Sequence, residues 1–146
     1  MPIIKIDVPK DSINESTKTK IIKYVSHAML KAEGLPNTKK SRSLVWCFFN
    51  ELNQDDWCIG GAQSNELRFF IQISMFEKVI NETRKKNVSE SILKILNENC
   101  NGKIKKENVW IIINGIPDKN FSTGGKLIGM NDLATFLNIN PATLNA

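Results

Sequence analysis

Two stretches of the chain run through the same order of apolar and polar positions. Ile3-Ile4-Lys5-Ile6-Asp7-Val8 is β-branched and partly alternating, which reads as a strand. Glu15 to Ala32 follows, with Ile21, Ile22, Val25, Ala28, Met29 and Ala32 forming the i, i+3, i+4, i+7 stripe of a helix with one apolar face. Gly34 and Pro36 stop that helix. A second apolar run, Val45-Trp46-Cys47-Phe48-Phe49, reads as another strand. The plan then begins again with the strand Phe69-Phe70-Ile71-Gln72-Ile73-Ser74. A helix is clearest over 89–99, where Ile92, Leu93, Ile95 and Leu96 are apolar. Asn87 or Ser89 is its expected N-cap and Asn101-Gly102 its stop. The fourth strand is Val109-Trp110-Ile111-Ile112-Ile113. A short helix is expected over 131–138, then a loose or partner-hugging tail over 140–146.

The repetition extends to residue identity. Laying Val45 on Val109 carries Trp46 onto Trp110, Asn50 onto Asn114, Trp57 onto Phe121, and Gly60-Gly61 onto Gly124-Gly125, without a gap. Each half is thus a strand, a helix and a parallel second strand. Two such units predict an α+β sandwich: a four-stranded mixed sheet with two helices on one face. The repeats are 2–65 and 66–128 of one domain spanning 1–146, with 129–146 as a C-terminal tail. The other sheet face also carries Ile and Phe, and two helices cannot cover both faces. Such a sheet in so small a domain predicts an oligomer.

Composition narrows the function. The 146 residues are one domain's worth, 41% hydrophobic and 24% charged, as in soluble globular proteins. No apolar run approaches a membrane span, and the first residues are not a signal peptide, so the expected location is cytoplasmic. Net charge is +5, with pI near 9.2, which favours anionic ligands. The lysines are scattered and lack aromatic interleaving, so they read as a solvated surface rather than a nucleic-acid face. Cys47, Cys58 and Cys100 form no CxxC and read as reduced, buried, small apolar side chains. His27 alone cannot build a metal cluster or a triad, so neither metal nor cofactor is expected.

Pro2 is the residue with chemical potential. Inside a chain its nitrogen is an inert amide; with Met1 removed it is a secondary amine. An α-amino group titrates near about 7.7–8.0, and burial or nearby cations lower that value, leaving a neutral amine able to act as a general base. One proline at position 2 is also an ordinary accident of composition.

Pro2-Ile3-Ile4-Lys5-Ile6 at the head of a duplicated strand-helix-strand chain resembles the tautomerase superfamily, which includes 4-oxalocrotonate tautomerase, macrophage migration inhibitory factor and cis-3-chloroacrylic acid dehalogenase. Ile59-Gly60-Gly61, Val109-Trp110-Ile111-Ile112 and Asn120-Phe121-Ser122-Thr123-Gly124-Gly125-Lys126 carry the rest of the likeness. The resemblance implies a homotrimer with sites at subunit boundaries, and Pro2 as acid or base on 2-oxo or 2-hydroxy-unsaturated acids.

Departures from the family pattern narrow the chemistry. The dehalogenase pattern has an arginine pair where this chain reads Ser74-Met75-Phe76-Glu77-Lys78-Val79-Ile80. It has a water-activating glutamate in the segment holding Thr123, and a tyrosine where Ile112 stands. The migration-inhibitory pattern has a lysine at the position of Leu35. Hydrolytic dehalogenation or hydration, although an alternative, therefore lacks its water activator. Tautomerisation needs only one base and a cation or donor to steady the carboxylate and enolate. Pro2 is the candidate base; Lys78, Arg84 and Lys126 are the candidate cations; Trp110 and Phe121 are candidate pocket walls. Sheet packing is the competing role for Trp110 and, more strongly, for Asn114. A non-catalytic binding protein on the same fold is the alternative function.

Overall fold

A computed structural model describes residues 1–144. In chain order it contains β1 (Ile3–Pro9), α1 (Glu15–Ala32), α2 (Lys39–Arg42), β2 (Trp46–Leu52), β3 (Cys58–Ile59), β4 (Ala62–Gln63), β5 (Phe69–Phe76), α3 (Glu82–Asn99), β6 (Val109–Ile116), β7 (Phe121–Thr123), β8 (Lys126–Ile128) and α4 (Met130–Leu137). The main sheet has the order β2-β1-β5-β6. Each second strand lies parallel to the first strand of its own unit, and β1 meets β5 antiparallel at the centre. This is the expected mixed α+β sandwich.

Strand alternation sorts side chains between two unlike faces. Ile4, Ile6 and Val8 of β1, with Phe69, Ile71, Ile73 and Met75 of β5, are buried under the helices. They meet Ile21, Val25 and Met29 of α1, and Val88, Ile92 and Leu96 of α3. The register places the intervening residues on the helix-free face: Ile3, Lys5 and Asp7 at the centre beside Phe70, Gln72 and Ser74. Trp46, Phe48 and Asn50 flank them on one edge, and Trp110, Ile112 and Asn114 on the other. Trp46 and Trp110 are 62% and 68% exposed, so two of the three tryptophans are left uncovered on this face. Asn50 gives its amide to Asp7 at 2.7 Å, a polar tie within that face.

The glycine pairs of the repeat are hairpin turns. Gly60-Gly61 joins β3 to β4, and Gly124-Gly125 joins β7 to β8. Both residues of each pair have positive φ, the backbone that a two-residue hairpin of this twist requires and that a side chain strains.

Three expectations are corrected. The second helix starts at Glu82, capped by Asn81, whose side chain accepts from Arg84 N at 2.8 Å. Neither Asn87 nor Ser89 caps it, because the polar turns before Val88 are already helical. The tail is not loose as far as it is described: Pro141–Leu144 makes a turn that buries Leu144. Asn145 and Ala146 lie outside the described residues. Cys58 is exposed on β3 rather than buried, whereas Cys100 is buried and Cys47 half-buried.

Candidate functional site

The topology gathers particular strand and helix ends at one end of the sheet. β1 and β2 start there; β5 and β6, which run the other way, finish there. A crossover helix returns antiparallel to the strand before it, so α1 ends there and α3 begins there. Residues far apart in sequence, among them Pro2, Glu33, Trp46, Lys78, Arg84 and Phe121, are thereby brought to one end.

Pro2 is buried just ahead of β1, its carbonyl accepting from Trp46 N at 3.2 Å. The amino-terminal ammonium of Met1 forms a buried ion pair with Glu33 Oε2. Glu33 is the C-cap residue of α1 and only 2% exposed. Burial pushes its carboxyl above the ordinary carboxylate value; the ammonium, and Arg84 more weakly, pull it back. Its second oxygen, Oε1, has no hydrogen-bond partner among the described residues. The sequence reading missed Glu33. A signal existed: the C-terminal turn of a helix favours cations, so a carboxylate there calls for a specific partner.

Beside Met1 lies a cleft of about 350 Å³, walled by Leu44, Trp46, Phe121, Ser122 and Thr123. Phe121 lines this cleft, with Thr123 two residues further along β7. Among the described residues, no lysine or arginine lines it.

The expected cations take other positions. Arg84, in the first turn of α3, donates to the carbonyls of Val79 at 2.8 Å and Leu144 at 3.4 Å, tying the start of α3 to the C-terminal turn. It borders a separate cleft of about 500 Å³ between α1 and α3, with Lys31 and Thr143. Lys78 is exposed, 3.8 Å from Asp118, whose other oxygen caps α4 by accepting from Met130 N. Lys126 pairs with Thr123 across the β7–β8 hairpin but is not part of the cleft wall. Trp110 is not at this end. It pairs with Phe70, itself opposite Asp7, so it sits about 16 Å along the sheet from Pro2. Among the described residues, no three His, Cys, Asp or Glu side chains cluster to hold a metal ion. No described helix is long and apolar enough to cross a membrane.

Solved structures with this arrangement decide the fold. A member of the cis-3-chloroacrylic acid dehalogenase family named N1 superposes with a TM-score of 0.73 and 18% identity, covering 98% of this chain and 95% of that one. The fold is that of the tautomerase superfamily. A fused 4-OT, a symmetric trimer, gives a TM-score of 0.71 at 13% identity over 91% of this chain and 98% of that one. Pt0534, solved after inactivation by 2-oxo-3-pentynoate, gives 0.72 at 16% identity over 91% and 98%. No family model and no curated protein sequence matches the chain significantly. The tautomerase neighbours thus share backbone architecture with it while retaining little of its sequence.

Proposed function

We propose that the chain is a keto–enol tautomerase of small 2-oxo or 2-hydroxy-unsaturated carboxylic acids, with Pro2 as its base once Met1 is removed. The observation that carries this reading is the buried amino terminus beside an apolar cleft, held by the buried carboxylate of Glu33. Removing Met1 transfers the free amine one residue along, about 3.8 Å between α-carbons, and vacates the part of the cleft wall that Met1 supplies. A neutral Pro2 nitrogen there takes a proton from the enol oxygen or the carbon of the substrate and returns it to the other. Glu33 steadies the ammonium formed in between. Trp46 and Phe121 offer apolar walls to the substrate body. The inactivation of Pt0534 by a 2-oxo acid supports this substrate class.

Lys78, Arg84 and Lys126 remain the proposed partners of the substrate carboxylate. The proposed assembly is a homotrimer, with the helix-free face as its proposed interface; the fused 4-OT structures similar to this chain are trimers. Thr123 offers the cleft a hydroxyl but no carboxylate, which disfavours activation of water for dehalogenation or hydration.

The test is ketonisation of phenylenolpyruvate by protein whose intact mass lacks Met1. Turnover well above the buffer rate, abolished in Pro2→Ala with the oligomer intact, is the expected result. Absence of turnover in correctly processed protein favours a second reading, a non-catalytic binding protein. The cation-free cleft wall and the engagement of Arg84 by main-chain carbonyls speak for that second reading.

A further inference from the structure

Met1 sits in the structure as a ligand would. Its side chain, 9% exposed, belongs to the buried apolar cluster and also forms part of the wall of the 350 Å³ cleft. The space it fills is therefore continuous with that cleft. Its ammonium rests on Oε2 of Glu33. One residue thus records what this part of the molecule receives: a positive, proton-donating head against a buried carboxyl, and an unbranched thioether chain among apolar side chains.

Removal of Met1 leaves those complementary surfaces behind. Glu33 then loses the ammonium on Oε2, while Oε1 already lacks a hydrogen-bond partner among the described residues. A buried carboxylate without a counter-charge is costly, so the space calls for a new cation. Arg84 acts on Glu33 more weakly than the ammonium does, and it spends donors on the carbonyls of Val79 and Leu144. The Pro2 amine is the competitor for Glu33, but the Pro2 carbonyl accepts from Trp46 N at 3.2 Å, which holds that residue in line with β1. The carboxyl oxygen in question is the one that the Met1 nitrogen already reaches, so a ligand lying where Met1 lies meets it directly. Nothing is asked of Ile3 or Trp46, the cleft residues on the helix-free face. Among the described residues, no lysine or arginine lines the cleft to receive an anion.

We propose that, with Met1 removed, this space binds a small primary amine carrying an unbranched apolar chain, its ammonium on Glu33 Oε2 and its chain where the Met1 side chain lies. The inference rests on the tautomerase reading only for the loss of Met1. It gives the pocket beside Pro2 the opposite polarity to the one a simple carboxylate substrate calls for: negative at the buried end and apolar toward the cleft.

The probe is 3-(methylthio)propylamine, which is Met1 without its carbonyl, beside the matched alcohol 3-(methylthio)propan-1-ol and the acid 3-(methylthio)propanoate. Each is titrated calorimetrically into the intact assembly, once in the form whose mass lacks Met1 and once in the form that retains it. The amine is expected to bind the first form at least about tenfold more tightly than the alcohol does, the advantage of a charge-assisted hydrogen bond, with the acid not binding. The second form should not bind the amine, because Met1 fills its place. Glu33→Gln keeps the shape of the side chain without the charge and should bring the amine to the level of the alcohol. No binding of millimolar amine to the form lacking Met1 overturns the proposal and assigns Glu33 to the Pro2 amine. Equal binding of the amine to both forms overturns it too, as does acid binding as tightly as amine. Ketonisation of phenylenolpyruvate is read separately. Turnover without amine binding sinks this inference alone, and amine binding without turnover sinks the tautomerase reading alone.

Discussion

Glu33 closes the C-terminal end of α1 and takes the amino-terminal ammonium of Met1 on its Oε2. Its raised pKa means that the folded chain holds the Glu33 proton more tightly than the unfolded chain does. Its contribution to stability is therefore fully present below the ordinary carboxylate value of 4.5 and is lost as pH rises through the raised value. Glu33→Gln should remove that pH dependence. At neutral pH it should leave the fold at least as stable, because Gln is the neutral isostere of the protonated acid that the folded chain favours. Urea unfolding midpoints from about pH 4 to about pH 8 measure both effects; equal pH profiles for the two proteins would rule out this role for Glu33.

Arg84 and Lys78 should separate structural support from substrate binding. Arg84→Ala removes two donor contacts that fasten α3 to the C-terminal turn and should destabilise the fold by about 2 kcal/mol. Lys78→Ala breaks only an exposed pair and should change stability by no more than about 0.5 kcal/mol. If Lys78 holds the substrate carboxylate, the same variant raises KM with kcat nearly unchanged. Thermal melts and steady-state kinetics on both variants make the comparison, and an unchanged KM removes Lys78 from the site.

The three thiols should react in an order set by burial. Cys58 is exposed, whereas burial pushes the Cys47 thiol up to about 11 and raises Cys100 as well. Thiolate is the reactive form, so iodoacetamide at mildly alkaline pH should label Cys58 well before the other two. Peptide mapping of a time course reads the order, and early labelling of Cys47 would contradict the packing described for β2.

Phe48 lies next to Lys5 on the helix-free face and is 44% exposed in the single chain. Phe48→Glu should leave the protomer folded and weaken its self-association by at least about tenfold if that face is the interface. Sedimentation velocity across a dilution series decides. An unchanged oligomer in that variant would move the interface elsewhere.

Much of the fold was legible because it rests on repetition. The Val-Trp, Asn and Gly-Gly series fixes the correspondence of the two units, and β-branched runs mark the strands on both sides of each helix. The apolar stripe of α1 located it within its observed limits. The start of α3 was hidden because its first turns, from Glu82 to Asn87, carry no apolar residue. Hydrophobic periodicity has nothing to register there, and only the Asn81 cap marks the boundary. Site geometry was less legible for a different reason. Trp110 has the composition of a pocket wall, but which end of a sheet a residue occupies depends on strand direction, and β6 begins where β1 ends. Glu33 carries no motif; its partner is the first residue of the chain, and only the return of α1 over the sheet brings them together.

The uncovered face has a consequence for how the protein's stability is to be stated. Trp46, Phe48, Trp110 and Ile112 form a layer that the protomer's own helices leave to water. Apolar area buried only on association makes the folding equilibrium depend on how often copies meet. The midpoint of thermal unfolding is accordingly expected to climb with protein concentration, so that dilution alone acts on this chain as a mild denaturant.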